Sequence, residues 1–519
     1  MRIAKAKWRA SGVRLLGVCA VVGLSSASAA SAKSAPSKVP AGTLSTWAWP
    51  GGDLANTRDV KSPINSSNVS SLGLSWSLPI KAQGFFGSYA TTPVVSKGIL
   101  YTQDLSSNVT AINLSSGQAL WEHKYNSANI GPNGVTVVNG TVYGTTASKV
   151  FALQAATGEQ LWTKRITRNN KEGIDMAPGY NNGTVYVSTV PGNAKSFYAG
   201  NGQAILWAMN AKTGKTEWKW DEVPADLWGN KGVNSGGGQW DPPSFDAHGN
   251  LYIGVANPAP FLGTNKFPFG SSRPGSNLYT DSVVKLNAKT GKLMWYYQLT
   301  PHDISDWDMN NSPVLTKGAN GKQIVIDGGK AGIVIALDAS TGKLIWKRPV
   351  GVHIGPSNIG EIAAKDPSKV KLPLTMEPGD LGGVESQLAS NGKTAFAAIN
   401  DMPVTYKGQS DATASYNVNT AKGEMVAIDQ ATGKILWDHK FAHSAYGAVS
   451  VTNDVAFTTT YDGTLWALNT KNGKVLWSKK LSAGTNAPVM ISGNSVVTAG
   501  SFPQGKGQTA QIQAFSLAG

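Results

Sequence analysis

The run PHDISDWDMNN gathers three aspartates, a histidine and two asparagines between His302 and Asn311. If the run is extended, alternation places Asp306 and Asp308 on one face and Asp303 and Trp307 on the other. Two ionised carboxylates sharing a face repel unless a cation or a retained proton stands between them, so this pair points to one or the other. His302 and Asp303 are expected to bridge backbone groups in the turn. The competing reading of the whole run is an aspartate-rich loop with turn and capping duties.

These residues must be positioned by whatever repeats around them. Ala, apolar, Asp/Asn, two residues, Thr/Ser, Gly, three residues, Trp recurs seven times, for example AMNAKTGKTEW at Trp218, ALDASTGKLIW at Trp346 and ALNTKNGKVLW at Trp477. Each copy reads as a strand, a turn whose Gly takes positive φ, and a second strand closing on a large flat ring. A preceding alternating run such as NGTVYGTT supplies two more strands, giving about four per repeat. The shortest steps, 41 and 40 residues from Trp to Trp, suit one propeller blade. An all-β, eight-bladed β-propeller of four-stranded antiparallel blades is predicted over 46–519, with each Trp packing between blades. The C-terminal IQAFSLAG begins a unit and stops before its Trp, whereas LGLSW near the start has a Trp and no unit before it. Together they make the eighth blade and close the ring. Two longer steps, 77 residues to Trp295 and 91 to Trp437, predict insertions over one end.

Composition bounds the setting. Five basic residues and no acidic one precede or flank an apolar run over 15–24, followed by SSASAASA, which reads as a secretory signal over 1–32 with a flexible leader over 33–45. Cys19, the single cysteine, falls inside that signal. The mature chain is then left without disulfides, thiolate metal sites or covalent haem attachment. Removing the signal lowers the formal charge from +15 to +10. This favours anionic polymers, lipid head groups or an acidic redox partner, but the lysines are scattered singly and argue against nucleic acid. No later segment has the length and apolarity of a membrane span. A soluble exported protein, periplasmic or extracellular at the cell wall, is expected.

GGGQW, ANPAP, NLYTDSVVKLNAKTGKLMWYYQ and PHDISDWD, set within the Trp repeat, resemble the quinoprotein alcohol dehydrogenases, which hold pyrroloquinoline quinone (PQQ) and a metal ion at the mouth of an eight-bladed propeller. The resemblance runs from Trp49 to the C-terminus and is densest over 236–337. It implies that Trp240 is the ring lying flat against the quinone. It makes Asn257 a metal ligand, whose neutral oxygen suits a hard cation shared with carboxylates. Asp306 becomes metal ligand and general base, and Asp308 matches the extra carboxylate of the lanthanide-using branch. Lys330 becomes the cation that steadies charge on the quinone oxygen.

The chain departs from that pattern at four places. It has no adjacent cysteine pair, no arginine shortly after it, and STVPGNAKSF where the family carries a glutamate ligand. GGVES places Glu385 near a cofactor-binding asparagine position. Asp175, in GIDMAP, is the candidate to replace the lost metal carboxylate. The resemblance implies hydride removal from an alcohol or polyol with PQQ and calcium or a lanthanide ion, and a separate electron acceptor. The alternative from another class is a non-catalytic envelope propeller, a binding or assembly scaffold that has lost the quinone.

Overall fold

Each repeat unit folds as the third strand, turn and fourth strand of an antiparallel sheet. In one of them Ser282–Asn287 and Leu293–Gln298 meet across Gly291, whose φ is +71°. The Asp or Asn at the third position is there because its carbonyl or carboxylate oxygen closes the turn. Asp338, for instance, accepts from the backbone N–H groups of Ser340 and Thr341, both at 2.9 Å. The computed structural model describes residues 47–518 apart from 83, 85, 195, 198 and 199, so the predicted signal, Cys19 and the leader lie outside the described residues.

Among the described residues there are eight four-stranded antiparallel sheets, in a propeller-like succession of all-β units. Inner strands such as Gln323–Gly329 and Ile333–Asp338 are buried along almost their whole length, because neighbouring sheets cover both faces. Outermost strands such as Thr216–Asp221 alternate between partly buried and exposed residues, the pattern of an edge with one covered face.

The repeat tryptophans hold successive sheets together. Trp218 donates its indole N–H to the carbonyl of Ala288 at 3.0 Å, and its ring lies where a Cβ on Gly291 would come within 2.6 Å. The same docking joins Trp76 to Gly117, Trp121 to Gly158, Trp162 to Gly214, Trp295 to Gly342, Trp346 to Gly433 and Trp437 to Gly473. Thus the Trp that ends one unit packs on the glycine of the next. Only a residue without a side chain leaves room for the ring, and the same residue accepts positive φ.

Both ends of the described chain contribute to one sheet. Leu72–Pro79 pairs with Gln511–Leu517, which pairs in turn with Ser495–Gly500. Ahead of it, the segment from Trp47 to Val60 bonds to the first strands of five sheets. Val95, Phe245, Leu315, Ser390 and Val451, each the second residue of its strand, donate to the carbonyls of Trp47, Leu54, Ala55, Thr57 and Arg58. Arg58 is fully buried and donates to the carbonyls of Val449, Pro50 and Val489 and to the side chains of Gln387 and Ser450.

The long steps fall between sheets or between second and third strands. They build a separate apolar core in which Trp307, Phe261, Ile304, Leu374, Met376 and Val404 pack together. The helix Ile359–Lys365 and a three-stranded sheet of Leu374–Met376, Val404–Tyr406 and Ala414–Ser415 belong to this layer. It lies beside the residues whose chemistry matters.

Candidate active site

The candidate residues come from two kinds of connection. Trp240, Asp306, Asp308 and Glu385 lie between the outermost strand of one sheet and the first strand of the next, whereas Asn257 and Lys330 lie between second and third strands. In an antiparallel sheet entered from its inner strand, both kinds emerge at the same end. The topology therefore delivers all six residues to one end of their sheets.

The 301–311 segment is not the extended strand that alternation assumes. Asp303 accepts from the backbone N–H groups of Ser305 at 2.8 Å and Trp307 at 2.7 Å, folding the chain into a tight turn. Asp306 follows with φ +61°, in the left-handed region. Asp306 and Asp308 nevertheless face one cation. Lys330 Nζ stands 2.8 Å from Asp306 Oδ2 and 2.6 Å from Asp308 Oδ2. Two close backbone approaches fix this geometry. A Cβ on Gly254 would lie 2.2 Å from the Met309 carbonyl, and one on Gly329 would lie 2.3 Å from the Asp308 carbonyl, which also accepts from Lys330 N–H at 3.0 Å.

Asn257 completes the cluster. Its backbone N–H donates to Asp308 Oδ1 at 2.7 Å and its side-chain amide donates to Asp306 Oδ1. Its own Oδ1 is buried with no hydrogen-bond partner. Trp240 is half-buried, and Lys330 Nζ lies 4.7 Å from its ring centroid. The Trp240 segment is tied to the Asn257 segment because Gly237 N–H donates to the Asn257 carbonyl and Ala256 N–H to the Gly238 carbonyl.

Burial dominates the electrostatics. It pushes the Asp306 carboxyl well above the usual range, with Lys330 opposing and Asp308 reinforcing the shift. Glu385 sits at the edge of the cluster, accepting from Asn400 Nδ2 at 3.3 Å. Burial raises it to about 7 against the pull of Lys330. Asp175 is placed apart: it is buried, its carboxylate accepts from the backbone of Ile130 and Gly131, and burial raises it to about 8.

Four residues without a sequence-derived role also shape the site. Asp380, raised by burial to about 6, acts electrostatically on both Lys330 and Asp306. Glu222 is fully buried and accepts from Gly238 N–H at 2.8 Å and Gln239 Nε2 at 2.7 Å, fixing the loop that carries Trp240. Arg273, also fully buried, donates to the carbonyls of Pro260, Phe261 and Asp303 and so joins the ANPAP and PHD segments. Arg58 reaches Asp241, the neighbour of Trp240, through Gln387. Arg273, alone among Gly, Pro and Ser in SSRPGSN, was the one with a readable signal.

The fold and this cluster define a propeller-like protein that assembles a polar site from loops at one end of its sheets. The family description "Glucose/ethanol/alcohol dehydrogenase, beta-propeller domain" matches residues 132–216 and 180–351, and "Outer membrane protein assembly factor BamB" matches 385–514. The chain is 28% identical over 490 residues to the quinohemoprotein alcohol dehydrogenase of Comamonas testosteroni, covering 80% of this chain and 67% of that protein. The crystal structure of a quinohemoprotein alcohol dehydrogenase from that organism superposes with a TM-score of 0.78 at 25% identity, covering 92% of this chain and 81% of the other. A europium-containing methanol dehydrogenase shares the fold, with a TM-score of 0.75 at 22% identity over 91% of this chain and 98% of the other. The chain spans 65% and 52% of two further curated relatives, a quinohemoprotein alcohol dehydrogenase of Pseudomonas putida and a quinone-linked alcohol dehydrogenase subunit of Gluconobacter oxydans. In its family-model match, its curated relatives and its solved structural neighbours this chain is similar to the PQQ-dependent alcohol dehydrogenases.

Proposed function

We propose that the protein is an exported oxidoreductase that takes a hydride from an alcohol or other hydroxyl compound with PQQ and a bound metal ion. The observation that carries this is the Asp306 carboxylate, buried between Asn257 and Lys330 beside the Trp240 ring. The donor set suits a hard cation: two carboxylates lie against the Asn257 amide, whose NH2 donates to Asp306 and whose Oδ1 is buried and lacks a partner. Asn257, Asp306 and Asp308 would hold calcium or a lanthanide ion, the second carboxylate favouring the higher charge. Asp175, on a connection that emerges at the same end of the sheets, belongs to the proposal as a further ligand. Trp240 offers a flat half-buried face to a quinone, and Glu385 borders the same space.

When bound, PQQ supplies the two-electron acceptor for the hydride leaving the carbinol carbon. The chain's own residues do the rest. Ionised Asp306 takes the hydroxyl proton onto a carboxylate oxygen as the C–H bond breaks. Lys330 holds Asp306 and Asp308 in place by its ammonium and stabilises negative charge that develops beside it. Asn257 aligns the two carboxylates from below by donating to both. Electrons then leave to a separate acceptor.

The scaffold proposed for this chemistry is an eight-bladed ring over 46–519 following the signal and leader. Three observations support it: eight four-stranded sheets, the shared sheet of the first and last strands, and the Trp47–Val60 strap across five inner strands. Among the described residues no helix is long and apolar enough to cross a membrane.

Purified protein is to be loaded with PQQ and either calcium or a lanthanide, and alcohols and polyols screened with an artificial dye. Retained quinone absorbance and alcohol-dependent dye reduction are expected. A second reading, an envelope assembly scaffold, is favoured by the match of 385–514 to an assembly factor. Failure to retain PQQ with any metal would leave that reading standing.

A further inference from the structure

The end of the sheets away from the site carries a charge pattern that the proposed chemistry does not use. Turns between third and fourth strands emerge there, and in five consecutive sheets each such turn bears a lysine: Lys215, Lys292, Lys343, Lys434 and Lys474. Three of these turns add a second lysine three residues earlier. All of these side chains are exposed, and none forms a salt bridge among the described residues. The equivalent positions in the first two sheets hold Gln118 and Glu159 instead. In these turns the cations form an arc over five consecutive sheets, and the turns between first and second strands at the same end add the exposed Lys97, Lys322 and Lys393.

The arc is rigidly spaced. Every one of its turns includes the glycine on which the preceding sheet's tryptophan docks, so each turn is pinned to its neighbour. Exposed aliphatic side chains follow the lysines by one or two residues: Met294, Leu344, Ile345, Leu436 and Val475, with relative exposures of 50, 43, 48, 49 and 42%. Leu120 and Leu161 are exposed at the same strand position in the first two sheets, so the apolar row runs on past these lysines.

We propose that this arc docks the protein on an anionic phospholipid bilayer, leaving the mouth of the site turned away from the membrane. Projecting cations distributed over five sheets match a broad negative surface, not a groove-bound strand. Apolar side chains beside them match the boundary between head groups and acyl chains. A protein exchanging electrons with the site would have to approach the opposite end of the sheets, which separates this surface from redox docking.

The test is flotation of the full chain with phosphatidylcholine vesicles and with equimolar phosphatidylcholine–phosphatidylglycerol vesicles. Binding is expected only to the anionic vesicles and should vanish as salt is raised. The variant K292Q/K343Q/K434Q/K474Q should weaken partition by on the order of fivefold per lysine. K365Q/K369Q/K371Q/K407Q removes the same charge from exposed lysines of the layer beside the site and should bind as the parent does. L344S/I345S should weaken vesicle binding while leaving its salt dependence in place. Absence of vesicle binding, or equal loss in the two lysine variants, overturns the proposal. Indifference to L344S/I345S would mean that the apolar side chains do not enter the head-group boundary, and overturns the proposed docking equally. Unchanged thermal melting of the variants excludes unfolding as the cause.

Discussion

Asp306 owes its place to a backbone conformation that side chains seldom adopt, φ +61°, imposed by the turn that Asp303 closes. Replacing it by Asn preserves the shape and removes the proton acceptor. In the loaded enzyme D306N should lose on the order of a thousandfold in kcat while still retaining quinone absorbance. Burial raises the Asp306 carboxyl of the metal-free protein well above the usual range, and a cation needs it ionised, so metal uptake should strengthen with pH beyond the range of an ordinary carboxylate. Because Lys330 opposes that shift, K330Q should move the rising limb to still higher pH. The sharing of one cation by Asp306 and Asp308 was legible in the DxD spacing. The route was not, since a left-handed kink does for this segment what strand alternation was expected to do. Asp380 and Glu222 were invisible because nothing in their local sequence marks a carboxylate that becomes buried through distant contacts. Glu222 gives a stability test. Its carboxyl is raised from 4.5 to about 7 in the fold, so its contribution is fully present below pH 4.5 and is lost as pH rises through 7. The melting temperature of E222Q should therefore be flatter over that window, the parent losing on the order of 3 kcal/mol there from this group.

At the scale of the element, the repeat was readable because the tryptophan and the glycine are chemically extreme, one the largest side chain and the other none. Which tryptophan meets which glycine was not, because a ring and the glycine of its own unit are close in sequence whereas the actual contact crosses to the following sheet. W346A, which removes a buried ring and its bond to the Gln430 carbonyl, should destabilise the protein by about 3–5 kcal/mol in denaturant unfolding. G433A should act on the same junction from the other side, combining strain at φ +71° with a Cβ placed 2.7 Å from the Trp346 ring. The insertions were legible as spacing only. Their core around Trp307 is assembled from residues between Phe261 and Tyr406 that share no period.

For the whole molecule, the Trp47–Val60 strap is the feature least visible in the sequence, since it forms no strand and follows no pattern. Its centre is Arg58, an ion buried among carbonyls and hydroxyls. R58M would leave five or more acceptors without their donor. A loss of about 3–5 kcal/mol is expected, read as a lowered unfolding midpoint. Because the Arg58–Gln387–Asp241 bonds run toward Trp240, the same variant should weaken quinone retention before it unfolds the protein.

The sheet that unites Leu72–Pro79 with Gln511–Leu517 also sets the order of events during biosynthesis. An early-synthesised edge must wait, unpaired, until a partner more than four hundred residues later emerges, so holdase chaperones have a prolonged window on this chain. Circular permutation that fuses these strands in tandem should shorten that wait and speed refolding.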